Sequence, residues 1–423
     1  MTSTGVDAAL ARAREAGHLL RARSAEAVQD ALADVLDAWS ARDSPWQKAL
    51  VEALPDAAGF SPAVVREGLA RGLAPFTGAA LRAVVRSELD GGAATGFETT
   101  AVVLAGAIPM PTLLAVVAPL ALRSPVLAKP SAHDPVTALL IARSLAERDP
   151  LLGACVEVVD VRGDDEASMA ALCEADCVVA NGSDAAVAAL AARAQPHGAG
   201  ASGPRRFVGY GHRFSLALLG PGATRGESLL RAAEGLALDI ALWDQLGCLS
   251  PVSVHAVDPE PRAADRVAEA LADALARAET RWPRGRVDTA VAAAIARERA
   301  EAEMRAAAGR GPVAVHASSG TAWTVVREAD AALRPAPLNR FARVHPAADV
   351  DACLDALRAD AAHLAAVAIA GFGTAGAPLA AELAGLGASR VCAPGTLQSP
   401  PLAWHRGNVG VLAPLARWTD IEL

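Results

Sequence analysis

Apolar positions fall along this chain in two rhythms. Through residues 6–90 they recur at three- and four-residue spacing, as in EAVQDALADVLDAW (26–39) and AVVREGLARGL (63–73), which predicts a helical N-terminal region. Asp43-Ser44-Pro45 and Ser61-Pro62 read as N-caps followed by proline at the first helical position. LDGGAATG (89–96) is a glycine-rich break. From 100 to 220 the rhythm changes to short runs that are apolar throughout: AVVLA (101–105), PVLAKP (125–130), CVEVVD (155–160), DCVVA (176–180) and RRFVGY (205–210). Helical segments at about 112–122, 135–148, 166–173 and 184–194 separate them. Fully apolar strands alternating with helices predict a parallel sheet covered on both faces, a doubly wound domain of the Rossmann type.

A second α/β block begins near 225. It opens with a long helix, GESLLRAAEGLALDIALW (226–243), and a strand, SPVSVHAV (250–257). Helices at about 260–281 and 288–309 follow, then strands PVAVHA (312–317), TAWTVV (321–326) and FARVH (341–345). A helix (349–360), a strand (364–371), a helix (377–387) and a strand (389–394) complete it, and the tail is proline-rich and irregular.

The 423 residues suffice for two or three domains. A net charge of −8 and the lack of any basic stretch exclude a nucleic-acid partner. The uncharged stretch 101–122 is long enough to span a bilayer, but Pro109, Pro111 and Pro119 interrupt it, so strand–turn–helix is the better reading and no membrane span is expected. The N-terminus lacks the apolar core of a secretory signal, and six cysteines without framework spacing point to a reducing, cytoplasmic setting. No cysteine or histidine set has metal-ligand spacing, so no metal is expected.

Five cysteines stand where a small apolar residue would serve, in predicted strands (Cys155, Cys177, Cys392) or helices (Cys173, Cys353). Cys248 differs. It lies in DQLGCLSP, a tight loop between helix and strand, where Gly247 leaves room for a substrate carbonyl. A loop on a rigid scaffold suits a nucleophile, although buried filler remains an alternative. Lysine is nearly eliminated: Lys and Arg total 39, yet only Lys48 and Lys129 are lysines. Lys129 ends the second strand of the alternating block, at the sheet edge where dinucleotides bind, and Ser131 is a second donor there. The alternative is a surface ion pair, which arginine would supply as well. Asn181-Gly182-Ser183 forms a strand-to-helix turn that offers amides and a dipole end to a pyrophosphate, or merely caps the helix. Gly371-Phe372-Gly373-Thr374-Ala375-Gly376 matches G-x-G-x-x-G. No acid follows about 20 residues on and too little chain remains, so a close-packed strand–helix crossover is preferred. His255, in a strand, reads as structural, while His212 and His405 are open between proton donor and hydrogen bonder.

These pieces, in this order, resemble the aldehyde dehydrogenase superfamily, and more closely the LuxC-type long-chain acyl-CoA reductases. The resemblance spans about 60–420 and rests on LAGAIPMP (104–111), LAKPSAHDP (127–135), FVGYGHRFSLALLG (207–220) with LWDQLGCLSP (242–251), and PPLAWHRGNVGVLAPLARW (400–418). It implies an α/β, aldehyde-dehydrogenase-like fold with N-terminal helices and a cofactor domain over 1–224, a catalytic domain over 225–410 and a tail over 411–423. The tail would pack in a dimer interface or close the site. It also implies that Cys248 is acylated, that Lys129 and Ser131 meet the adenosine ribose or its phosphate, and that Gly182 and Ser183 lie under the pyrophosphate. Gly106 and Pro109 fall in the cofactor turn, and Ala107 and Leu249 in the oxyanion region.

Three departures from the family pattern matter. Ala107 stands where the family has a turn asparagine, and losing one oxyanion donor costs roughly 10²–10³ in turnover. The water-activating acid is absent from GHRFSLALLG, which suits a thioester reductase. The glutamate that clamps the nicotinamide ribose is missing near PLNR (337–340). The implied activity is NADPH-dependent reduction of an acyl-CoA or acyl-carrier-protein thioester to an aldehyde through an acyl-cysteine, with NADH as the alternative donor. Other aldehyde or semialdehyde dehydrogenase chemistry, a classical dehydrogenase using the 371–376 glycines, and a degenerate acyl-binding subunit stay open. Expected partners are the thioester, sister subunits of a fatty acid reductase or biosynthetic complex, and further copies of the chain.

Overall fold

The computed structural model describes residues 2–89, 93–194, 206–309, 311–420 and 422. The chain divides into two compact units. The first comprises Met1–Ala58, Gly72–His212 and Pro401–Leu423; the second comprises Gly59–Arg71 and Arg213–Pro400.

The N-terminal region is helical, as its apolar spacing predicts: α1 (Ser3–Arg21), α2 (Ala25–Ser40), α3 (Pro45–Ala58), α4 (Pro62–Leu73) and α5 (Gly78–Leu89). Ser44 Oγ accepts from Gln47 N at 3.4 Å and Ser61 Oγ from Val64 N at 3.3 Å, so both proline starts are capped. Val6, Ala9 and Leu10 of α1 share a core with sheet residues Leu127 and Val178. Of the predicted glycine-rich break, 90–92 lie outside the described residues.

In the first unit β1 (Ala93–Thr95) pairs with the tail, and a separate five-stranded sheet carries β2 (Thr100–Val103), β3 (Val126–Lys129), β4 (Val156–Val158), β5 (Cys177–Asn181) and β6 (Arg206–Tyr210). Its order is β4-β3-β2-β5-β6 and every pairing is parallel. The crossover helices are α6 (Pro109–Ala121), α7 (Thr137–Arg148), α8 (Pro150–Ala154), α9 (Glu166–Leu172) and α10 (Asp184–Arg193). Arg205, included in the predicted last strand, lies outside the described residues. The uncharged stretch 101–122 is the strand–turn–helix expected, with the chain leaving β2 and entering α6 at Pro109. Among the described residues no helix is long and apolar enough to cross a membrane. The strand order reverses between β2 and β5, and in open parallel sheets ligands bind at the carboxyl ends of strands at such a switch point.

The second unit holds a seven-stranded sheet of order β13-β12-β7-β8-β11-β10-β9. Its members are β7 (Phe214–Leu219), β8 (Pro251–Val257), β9 (Ala314–Ala317), β10 (Thr324–Arg327), β11 (Phe341–Ala347), β12 (Leu364–Ala370) and β13 (Arg390–Cys392), parallel except for β9 against β10. The helices are α11 (Gly226–Ala241), α12 (Ala263–Arg281), α13 (Thr289–Ala307), α14 (Val350–Leu357) and α15 (Gly376–Gly385). The helix expected over 349–360 ends at Leu357 and tightens into a 3-10 turn, Arg358–His363.

β7 is absent from the sequence-based reading and is the main correction to it. It starts three residues after β6 ends. A parallel neighbour needs a crossover of a dozen or more residues, so a strand this close in sequence either turns back antiparallel or enters another sheet. It lies between β12 and β8. By compactness the chain divides at 212/213 and at 400/401, while the family resemblance implies bounds at 224/225 and 410/411.

The tail belongs to the first unit. β14 (Arg417–Thr419) pairs antiparallel with β1, and the Glu88 carboxylate accepts from Val411 N, Leu412 N and Ala413 N at 2.8–2.9 Å.

Candidate active site

Cys248 is carried by a loop whose approach is conformationally unusual. After α11 the chain makes a 3-10 turn, Leu242–Gln245, in which Trp243, Asp244 and Gln245 are left-handed at φ 55°, 48° and 64°. Such residues cost on the order of 1–3 kcal/mol each and persist only where the surroundings over-determine them. Here they do. Gln245 Nε2 donates to Pro251 O at 2.9 Å and Phe341 O at 3.0 Å, while its Oε1 accepts from Phe341 N at 2.8 Å. Asp244 Oδ1 accepts from Arg340 Nε and Nη2 at 2.9 and 2.6 Å, and Oδ2 from Gly285 N at 3.0 Å. Arg340 closes a second left-handed run, Leu338-Asn339-Arg340 at φ 60°, 57° and 65°. Trp243 is fully buried, edge-to-face on Phe60 at 5.4 Å. A Cβ on Gly68 would come within 2.4 Å of the Trp243 ring, so only glycine fits there.

Beyond this clasp, Ser250 N donates to Gly247 O at 3.0 Å, which makes Gly247–Ser250 a hydrogen-bonded turn with Cys248 and Leu249 at its centre. Cys248 is half-buried and Leu249 buried. Ser250 Oγ accepts from Gln398 Nε2 at 2.9 Å, and the same amide donates to Asp239 O at 3.0 Å. Burial pushes the Asp239 carboxyl up to about 7. Of the remaining cysteines, Cys177 and Cys392 lie in strands, Cys155 and Cys173 cap helices and Cys353 lies inside α14, and burial drives the thiols of Cys155, Cys177 and Cys353 up to about 12. Cys155 precedes β4 as the cap of α8, where the sequence places it in the strand.

The residues expected to hold the cofactor lie in the first unit, at the carboxyl edge of its sheet. Lys129 ends β3 and lines a cleft of about 650 Å³ with Ser131, Val158, Asp160 and Arg162. Its Nζ donates to Pro130 O at 3.2 Å. Burial lowers the Lys129 pKa and the Asp160 carboxylate pulls it back up. Ser131 Oγ accepts from His133 N at 3.1 Å, which leaves its O–H proton to donate. After β2, Gly106 is left-handed at φ +75°, and nothing lies within 4 Å of where its Cβ would be. That open, glycine-dependent turn leads through buried Ala107 to Pro109 at the first position of α6. On the other side of the switch point, Ser183 Oγ caps α10 by accepting from Ala186 N at 3.2 Å. Gly182 N donates to Tyr210 O at 3.2 Å, so this amide is already engaged, contrary to a turn of wholly free amides. These features suit a dinucleotide: a cation-bearing cleft beyond β3 and an unobstructed glycine turn at the switch point.

The structure thus groups Lys129 with Ser131, and sets Gly106, Ala107 and Pro109 and Gly182 and Ser183 on the two strands of the switch point. Cys248 and Leu249 belong to the second unit. In the G-x-G-x-x-G run Gly371 is close-packed, left-handed at φ +82° with a Cβ position within 2.3 Å of Ala223 N, whereas Gly373 is left-handed at φ +53° with nothing within 4 Å of its Cβ position. His255 is buried and stacked on His345 with ring centroids 4.9 Å apart, and burial drives its pKa well below the usual value, in keeping with a structural role. Sequence reasoning misses two polar residues. Arg406 donates to Asn181 Oδ1 at 2.9 Å and lies over the Tyr210 ring at 4.4 Å, while Asn181 Nδ2 donates to Val103 O at 3.1 Å. Ser215 donates to Cys248 O at 2.7 Å. An arginine among many and a serine inside an unrecognised strand give no sequence signal.

The two-sheet architecture is the fold of solved aldehyde dehydrogenases. An oxidoreductase from Marinobacter aquaeolei superposes with a TM-score of 0.75 at 14% identity, covering 99% of this chain and 90% of that one. The indole-3-acetaldehyde dehydrogenase AldA of P. syringae, solved as a C302A mutant with NAD+ and IAA, gives 0.75 at 16% identity and 99% and 88% coverage. Aldehyde dehydrogenase 21 from Physcomitrella patens gives 0.69 at 14% identity and 99% and 90% coverage. The family model for acyl-CoA reductase (LuxC) matches residues 20–418, and the chain belongs to that family of enzymes. Among curated proteins none matches this sequence.

Proposed function

We propose that this enzyme reduces an acyl thioester, carried by coenzyme A or a carrier protein, to the aldehyde through an acyl intermediate on Cys248, with NADPH as the preferred donor. The observation that carries this reading is the place of Cys248. It is half-buried at the centre of a hydrogen-bonded turn, behind two strained runs clasped by Arg340 and Asp244. Strained residues held by their surroundings cluster at active sites, and locked supporting side chains fix a reactive group in place.

In the reaction the Cys248 thiolate adds to the thioester carbonyl, the carrier thiol leaves, and the acyl group remains on sulfur. Bound reduced nicotinamide dinucleotide supplies a hydride. The thiohemiacetal alkoxide left on Cys248 then breaks its C–S bond, which releases the aldehyde and returns the thiolate. Lys129 and Ser131 would hold the adenosine ribose, and an ammonium there favours a 2′-phosphate through charge-assisted hydrogen bonds. Gly106 and Pro109 shape the turn after β2, and Gly182 and Ser183 the turn after β5. By the family resemblance Ala107 replaces a side-chain donor, so the oxyanion rests on backbone amides, that of Leu249 among them. Missing the acid that activates water, the acyl-enzyme is kept for reduction.

The test is acyl-CoA-dependent oxidation of NADPH by the purified chain. Activity that vanishes in Cys248→Ala while the fold persists supports the reading. Undiminished turnover in that variant contradicts it.

A further inference from the structure

Ser215 stands at an irregularity shared by two strand pairings. The β7–β8 register shifts between Ser215 and Leu216, and the β12–β7 register shifts between Leu364 and Ala366. Where ladders shift, backbone groups lose their regular partners. The Ser215 side chain, fully buried, takes both: its hydroxyl accepts from Ala366 N at 3.2 Å and donates to Cys248 O at 2.7 Å. One hydroxyl therefore links β7 and β12 to the turn that carries Cys248.

The bonded carbonyl is not an arbitrary one. It belongs to the Cys248–Leu249 peptide, the middle peptide of the Gly247–Ser250 turn. The two outer residues of such a turn are tied to each other, whereas the middle peptide is free to rotate and is the unit that differs between turn types. In a trans peptide the C=O and N–H point in opposite directions. Holding Cys248 O toward Ser215 therefore turns Leu249 N–H the other way.

We propose that Ser215 is a positioning residue for the thioester chemistry: by fixing the Cys248–Leu249 peptide it aims the Leu249 N–H at the oxyanion formed when Cys248 attacks the acyl carbonyl. This rests on Cys248 being the acylated nucleophile. The contribution is to the transition state, because a donor aimed at developing charge matters only when that charge develops. A bulge-filling serine with no part in the chemistry would affect every reaction of the loop alike, or none.

Two reagents at one thiol separate these roles. Acylation by an acyl-CoA passes through an oxyanion; alkylation by iodoacetamide is a direct displacement and forms none. Both rates are read at the Cys248 peptide by mass spectrometry, without nicotinamide cofactor. Ser215→Ala should slow acylation roughly 10²-fold while alkylation stays within about threefold of wild type. Ser215→Cys, close in shape and a weak donor, should fall between wild type and alanine in acylation alone, and it serves if the alanine variant does not fold. An equal loss in both reactions means the hydroxyl only shapes the loop and overturns the proposal, as does no loss in either. Wild-type Cys248 that alkylates but never acylates removes the proposed function and this inference with it.

Discussion

Lys129 is one of two lysines in a chain whose other basic side chains are arginines. Its ammonium is half-buried beside the Asp160 carboxylate in the cleft beyond β3. The neighbouring carboxylate favours a cation there, burial disfavours one, and a phosphate would have to outweigh repulsion from Asp160 by its contacts with the ammonium. Lys129→Ala should therefore weaken NADPH binding more than NADH binding, which dissociation constants for both cofactors in wild type and variant will check. Equal, small changes would make Lys129 a surface charge. At this scale the sequence is legible where scarcity or loop position marks a residue, as with Lys129 and Cys248. It is silent where the role is a hydrogen bond across strands. Ser215 is informative only once β7 is known to lie between β12 and β8, and Arg406 only once the tail is seen against Asn181 and Tyr210.

The elements that position Cys248 are two short left-handed runs rather than a helix or strand. Arg340 is almost wholly buried and binds Asp244 as well as Glu279, at 2.7 Å, and Ala241 O, at 3.1 Å. Removing one member of a buried pair strands the other, a loss of about 3–5 kcal/mol. Arg340→Met should lower unfolding stability by that order in denaturant titrations, and adding Asp244→Asn should recover part of it. An Arg340→Met variant as stable as wild type would mean the clasp does not hold the loop. The two left-handed runs carry little sequence signal: Asp244 and Asn339 alone favour that conformation, and tertiary hydrogen bonds from Gln245 and Arg340 impose it on the rest. The regular elements were readable, since apolar periodicity is local. β7 follows β6 after three residues, so it does not fit the alternation of strand and helix by which the other strands are read.

At the scale of the whole molecule, the alternation of apolar strands and helices predicts the α/β class and the parallel first sheet, and the ordered motifs point to the family whose model matches 20–418. The sequence does not disclose that the second sheet takes its strand β7 from before residue 225. Strand partners far apart in sequence leave no periodic trace in either segment. The covalent chemistry proposed for this chain rests on one thiol, that of Cys248. Intact mass after incubation with a long-chain acyl-CoA, in the absence of nicotinamide cofactor, tests it most directly. The account predicts a single acyl adduct that maps to Cys248, is absent from Cys248→Ala and is discharged as aldehyde when NADPH is added. An adduct on another cysteine, or an unmodified protein that still oxidises NADPH in the presence of the thioester, would contradict it.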